Sequence, residues 1–191
     1  MKQQQILEQL KTLTTENINP NSVDIDILPT LEKLRIINNE DQQVALAIAK
    51  ELPAIATAVD AITLAMKNGG RLIYTGAGTS GRLGILDAVE CPPTYGVDYN
   101  TVVGLIAGGA EAFIKAQEGV EDKEELGVAD LQSIQLTAKD IVCGIAASGR
   151  TPYVIGGLDY ARSLGCVTIA VAWNKNSVIG QHADLQIEVA P

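Results

Sequence analysis

Two short loops carry the residue types that hold an anion. The first is Gly76-Ala77-Gly78-Thr79-Ser80-Gly81, between the apolar run Leu72-Ile73-Tyr74 and the helical Leu83-Gly84-Ile85-Leu86. The second is Ala146-Ala147-Ser148-Gly149-Arg150-Thr151-Pro152, between the apolar Ile141–Ile145 and a helical Val154–Leu164. Backbone N–H groups at a helix start favour negative charge, and hydroxyls and guanidinium groups donate further hydrogen bonds. The candidate binding residues are Gly78, Thr79, Ser80, Gly81, Ser148, Gly149, Arg150 and Thr151. No Gly-Lys-Ser/Thr P-loop and no evident magnesium-binding acid accompany them. The pair therefore fits a phosphomonoester held without a metal. Helix capping by Ser148 or Thr151 would account for one such loop. Two of them at neighbouring strand ends favour the anion site.

Gly76-x-Gly78-x-x-Gly81 also matches the dinucleotide fingerprint. That fingerprint needs an acid at the end of the next strand to hold a ribose. Here the next strand ends in Ala107-Gly108-Gly109. Thr79 and Ser80 supply hydroxyls that close backbone approach does not require. No nicotinamide, flavin or other cofactor is expected.

These loops need strands to aim them. Val102–Ile106, Val167–Ala172 and Leu185–Val189 read as further strands. With the two already named, they alternate with helices, which predicts an α/β fold: a doubly wound, five-stranded parallel sheet preceded by N-terminal helices. Ligands in such sheets bind at the carboxyl ends of the strands, where both loops fall. In the N-terminal region the pattern predicts a short helix at about residues 4–14 and an irregular arm. A helix then starts at Thr30 and is interrupted by Asn38, Asn39 and Asp41. Another covers Gln42–Lys50, and a third runs from Pro53 to Met66. Pro92-Pro93 is read as a helix stop, and Ala110–Gln132 as one helical, acidic stretch.

Composition narrows the classes. The 191 residues are 47% hydrophobic, 19% charged and 4% aromatic, with a formal net charge of −9. This is too apolar for a disordered chain. It lacks the basic face of a nucleic-acid binder, so no nucleic-acid partner is expected. No apolar run is long enough to span a bilayer, and the first residues open no signal segment, so no membrane partner is expected and a cytoplasmic location is. Cys91, Cys143 and Cys166 are odd in number, and His182 is the one histidine, which argues against a zinc site.

Longer strings now become informative. Gly76–Arg82 and Ala146–Pro152 resemble the two phosphosugar loops of the sugar isomerase (SIS) domain. Leu86-Asp87-Ala88-Val89-Glu90-Cys91-Pro92-Pro93-Thr94 is similar to the N-acetylmuramic acid 6-phosphate etherase family. So are Ile106-Ala107-Gly108-Gly109, Glu118-Gly119-Val120-Glu121-Asp122 and Asn19-x-x-Ser22-Val23-Asp24-Ile25-Asp26. The resemblance implies a lyase of cell-wall sugar recycling. It would cleave the lactyl ether of N-acetylmuramic acid 6-phosphate, giving N-acetylglucosamine 6-phosphate and D-lactate. It further implies a homodimer with the site near the interface, and two catalytic carboxyls facing one pocket. Glu90 matches the proton donor to the departing lactate. Glu121 matches the second glutamate, read as the base at carbon 2. The resemblance divides the chain into an arm and helices at 1–68 and a phosphosugar-binding SIS domain at 69–191, shortened after its fifth strand.

Other residues carry less. Cys91 adjoins Glu90 but has no histidine partner in sequence. His182 reads as a surface residue and Trp173 as strand-end packing. Arg82 and Arg150 are candidates for phosphate or carboxylate, Arg82 alternatively for bridging acids such as Asp87. A non-catalytic phosphosugar sensor and an aldose–ketose phosphosugar isomerase are the alternatives from other functional classes.

Overall fold

The structure is a computed structural model and describes residues 14–190. The helix expected at about residues 4–14 lies outside the described residues, save for its last position. Three short 3-10 turns, Thr14–Glu16, Pro20–Ser22 and Ile25–Ile27, lead into helices α1 (Thr30–Ala49) and α2 (Leu52–Lys67). Then follow β1 (Leu72–Gly76), α3 (Gly78–Tyr95), β2 (Val102–Ile106), α4 (Gly109–Ile114) and α5 (Glu124–Ser133). The chain continues through β3 (Ile141–Ile145), α6 (Pro152–Ser163), β4 (Val167–Ala172), α7 (Val178–Gln181) and β5 (Leu185–Glu188).

All five strands are parallel, in the order β2-β1-β3-β4-β5. The expected doubly wound α/β sheet is thus the observed one. Its strands are rich in Val and Ile, as strands covered on both faces must be. Successive residues serve opposite faces. Leu72, Ile141, Cys143 and Ile169 pack with Ala58 of α2 and Ala88 of α3. Ile73, Val142 and Ala170 pack with Leu131 of α5 and with Tyr153 and Leu158 of α6 on the other. The chain leaves β1 toward β2 on one side and β3 toward β4 on the other. The strand ends of β1 and β3 therefore open a crevice, which is where the two glycine loops lie.

Three readings of the sequence are corrected, and one element is new. Asn38, Asn39 and Asp41 do not interrupt α1, which is continuous. Asn38 Oδ1 accepts from Gln42 Nε2 one turn on (2.9 Å), so this side chain satisfies itself along the helix and leaves its backbone intact. Pro92 and Pro93 do not stop α3; they sit in its last turns, and left-handed Gly96 closes it by donating to Pro92 O (2.8 Å). Each proline fits helical φ but withholds an N–H from the carbonyl four residues before it and crowds that carbonyl, a cost that falls here only in the last turns of the helix. Ala110–Gln132 is two helices separated by a loop that carries Glu121. The short α7 was not anticipated.

At the opposite sheet end, buried Asp140 joins β1 to β3. Its carboxylate accepts from Arg71 N (2.9 Å), Arg71 Nε (3.1 Å), Arg71 Nη2 (2.8 Å) and Thr137 N (2.9 Å). Burial alone would raise the Asp140 carboxyl. Arg71 and the two backbone N–H groups outweigh it and hold the carboxyl below its ordinary range. A depressed folded-state value stabilises the fold fully above the unfolded value, about 3.9. That stability is lost as pH falls through the lower folded value. Asp140→Ala should lower the unfolding free energy at neutral pH by about 3–5 kcal/mol. Its urea midpoint should also change less with pH on the acid side than that of the parent chain.

Candidate functional site

The crevice holds a cavity of about 530 Å³. That is in the range of a site for one small ligand. Ala77, Gly78, Thr79 and Ser80 line it from the first loop, and Ala146, Ala147, Ser148 and Thr151 from the second. Gln117, Val120 and Glu121 line it from the α4–α5 loop, and Thr15 and Glu16 from the N-terminal arm.

The first loop works by close approach. A side-chain carbon at Gly81 would lie 2.6 Å from Gly76 O and 2.6 Å from Ile106 Cγ1. Only glycine lets the first turn of α3 lie directly on the ends of β1 and β2. Ala77 caps α3 without a side-chain hydrogen bond. The N–H groups of this first turn, with the Thr79 and Ser80 hydroxyls, therefore face the crevice as donors. Gly81 serves packing and does not line the cavity.

The second loop is held from behind. Gly149 is left-handed (φ 72°) and its N–H donates to Ala146 O (3.0 Å). The Gly149 amide, expected among the anion donors, is therefore used inside the turn. Its carbonyl accepts from Ile179 N (2.9 Å). Buried Asn174 donates through Nδ2 to Ala147 O (3.2 Å) and Ser148 O (3.3 Å). Buried Glu188 accepts from Asn176 N (2.7 Å) and Ser177 N (2.8 Å) and fixes the left-handed turn at Asn176. Ser177 caps α7 through Gly180 N (3.0 Å). Thr151 stands at the start of α6 but makes no side-chain cap bond, so its hydroxyl is not engaged as a helix cap.

Glu121 is tied to the same place. Its carbonyl accepts the Tyr153 N–H at 2.9 Å, which fixes the α4–α5 loop to the start of α6 beside Thr151. Two further glycines set the distance between α5 and α6. A side-chain carbon at Gly127 would sit 2.1 Å from Tyr153 O, and one at Gly156 2.3 Å from Glu124 O.

The structure therefore gathers Gly78, Thr79, Ser80, Ser148, Thr151 and Glu121 around one cavity. Gly81, Gly149 and Arg150 lie in the loops but do not line it. Glu90 is exposed on α3 and does not line it either. At 1.5 Å per residue it stands roughly 18 Å along the helix from Gly78. The two glutamates are thus not brought together within one chain. Among the described residues Arg82 bridges no acid; it donates to Phe113 O (2.9 Å) and Ala112 O (2.6 Å) and closes the end of α4. His182 Nδ1 meets Asp159 Oδ1 (2.8 Å), away from the cavity. Burial pushes the Cys143 thiol up to about 12 and, with Asp140, that of Cys166 up to about 11. Burial and then Asp87 also raise Cys91. None of the three is an activated nucleophile. Among the described residues no cluster of His, Cys, Asp and Glu is placed to hold a metal ion. Sequence reasoning missed Thr15, Glu16, Asn174 and Glu188. The strand-end rule, applied to β4, would have singled out Asn174.

Comparison with known proteins bears on this geometry. The model of the glucokinase regulatory protein N-terminal SIS domain matches residues 54–162, more than half of the chain. The chain belongs to the SIS-domain family. Among curated relatives of this SIS-domain chain, the N-acetylmuramic acid 6-phosphate etherase of Cronobacter sakazakii is 58% identical over 178 residues. The match covers 93% of this chain and 60% of the relative. The protein of the same name from Rhizobium rhizogenes is 57% identical over 187 residues, 98% of this chain and 61% of its own. The etherase likeness read from the sequence is borne out, and the SIS-domain chain spans about 60% of the length of these relatives. Among solved structures, a phosphoheptose isomerase from Francisella tularensis superposes with a TM-score of 0.65 at 20% identity, over 86% of this chain and 87% of that one. Another from Neisseria gonorrhoeae gives 0.68 at 16% identity, over 84% and 85%. They share the SIS fold. Among the described residues no helix is long and apolar enough to cross a membrane.

The glycine contacts generate a test. Gly156→Ala must push the Glu124 backbone away from α6. Overpacking of this kind costs about 1–3 kcal/mol. Urea unfolding should show a midpoint lowered to match, with an unchanged m value.

Proposed function

We propose that this chain is the phosphosugar-binding part of an N-acetylmuramic acid 6-phosphate etherase. The observation that carries the reading is the convergence of Ser80, Ser148, Thr151 and Glu121 on one cavity in a chain 57–58% identical to proteins of that name. In this reading the donors of both loops hold the 6-phosphate. The open-chain sugar loses its carbon-2 proton to Glu121. Lactate leaves carbon 3 with a proton supplied by Glu90, and water adds back. The products are N-acetylglucosamine 6-phosphate and D-lactate. Both binding loops act through neutral donors and helix ends, so the substrate's own charge provides the attraction.

The same reading requires a second copy. Glu90 cannot reach the cavity of its own chain, and Leu83, Leu86 and Val89 are exposed on the same helix. Helix α1 buries only Ala47 and exposes Leu31, Leu34 and Ile37. A homodimer would cover these surfaces and carry Glu90 to the neighbouring cavity. Residues 1–68 then serve assembly and 69–191 hold the ligand, with Thr15 and Glu16 reaching back to the site. A phosphorylated sugar does not cross a lipid bilayer, so the reaction shares the compartment in which the sugar is phosphorylated, for which this reading takes the cytoplasm. A second reading, a non-catalytic phosphosugar-binding protein, is favoured by one observation: the separation of Glu90 from Glu121.

The deciding experiment supplies N-acetylmuramic acid 6-phosphate and assays D-lactate, in this chain and in a full-length relative. Lactate release supports the etherase. Binding without release in both supports the second reading. Ser148→Ala should weaken N-acetylglucosamine 6-phosphate binding by the worth of one charged hydrogen bond, roughly 1.5–3 kcal/mol. Unchanged affinity would remove Ser148 from the site. In an active protein Glu90→Gln should still exchange the carbon-2 proton with solvent deuterium while lactate release falls about 10²–10⁴-fold. Glu121→Gln should lose both. The opposite pattern would exchange the two roles. Sedimentation at micromolar concentration should show a dimer.

A further inference from the structure

We propose that Asn174 is a positioning residue that latches the N-terminal arm onto the second anion loop. Thr15 and Glu16 then form one wall of the ligand site. The inference rests on the phosphosugar reading of the cavity. Asn174 is 2% exposed and lies just beyond β4, behind the second loop. Its Nδ2 faces three oxygens: Ala147 O (3.2 Å), Ser148 O (3.3 Å) and Thr15 Oγ1 (3.1 Å). The first two belong to the anion loop and the third to the arm. One buried amide thus joins parts of the chain 159 positions apart.

The direction of these bonds matters. A trans peptide sets its N–H opposite its C=O. With Ala147 O drawn toward Asn174, the Ser148 N–H is turned to the other side of its peptide. The arm is held beyond the site as well. Asn19 and Asn21 both donate to the Glu40 carboxylate on α1 (2.7 and 2.8 Å). Lys175, next to Asn174, pairs with Glu51 at the start of α2. The stretch at Thr15 and Glu16 is therefore fixed between two anchors, Glu40 on one side and Asn174 on the other. Both residues line the cavity that Ser80, Ser148, Thr151 and Glu121 share. A ligand that fills this cavity beyond its phosphate meets the arm, whereas inorganic phosphate alone meets only the loops.

Two variants separate the parts of the latch. Thr15→Val keeps the shape and removes the acceptor. It should weaken binding of N-acetylglucosamine 6-phosphate about 5-fold, the ordinary worth of one neutral hydrogen bond. It should leave inorganic phosphate binding unchanged, and Thr15→Ser should restore the lost affinity. Asn174→Leu should weaken both probes, and adding Thr15→Val to it should cause no further loss. Amide hydrogen exchange reads the latch without any ligand. Protection of the residues around Thr15 should fall in both variants, and the phosphosugar should raise it in the parent chain alone. Unchanged arm protection in both variants would overturn the latch. Lost protection with unchanged phosphosugar affinity would overturn its role in the site. Failure of the parent chain to bind any phosphosugar, with arm protection still lost in the variants, would sink the phosphosugar reading and leave the latch standing.

Discussion

The site depends on backbone approaching backbone at the end of β1. Gly76 and Gly81 are so close that neither tolerates a side chain. That contact lays the first turn of α3 across the strand end and turns its unbonded N–H groups toward the crevice. The sheet order does the rest, since β3 is the neighbour of β1 and ends at the same level. The second loop then faces the first across the point where the chain direction over the sheet reverses. Arg71 and Asp140 hold these two strands in register from the other end.

The cations of the loops lie outside the cavity lining. Arg82 is used to close α4, and Arg150 lies outside the cavity lining. In a chain with a net charge of −9, the donors that the loops bring to the cavity are hydroxyls and helix-end amides, which cost little to desolvate. Such donors read geometry as much as charge, because each hydrogen bond has a direction. The supports behind them, Asn174, Ser177 and Glu188, are buried.

The sequence was most legible where structure is local. β2, β3 and β4 fall at the expected residues, and both glycine loops sit at the expected strand ends. Local signals misled where tertiary packing or side-chain pairing overrode them. Asn38 pairs along its own helix instead of breaking it, and Pro92 and Pro93 ride within the last turns of α3. Of the supports of the site, the strand-end rule reaches Asn174 but not its partner, and nothing in the sequence marks Ser177 or Glu188. Asn174 is a donor to Thr15 only because the fold brings them together, and no spacing in the chain announces that. Glu90 is the converse case. A motif names it, and the geometry of a single helix moves it away from the cavity.

The contact between Asn174 and Thr15 also orders events during synthesis. A ribosome releases the arm first and, 159 positions later, Asn174, so Thr15 waits for its anchor. The Arg71–Asp140 clamp closes 69 positions of chain and the Asn174–Thr15 contact 159. Loop entropy grows slowly with length, and the longer closure costs only roughly 0.7 kcal/mol more. The delay is therefore one of time and not of energy. A nascent chain can thus pair β1 with β3 before Asn174 is available to fasten the arm beside the cavity.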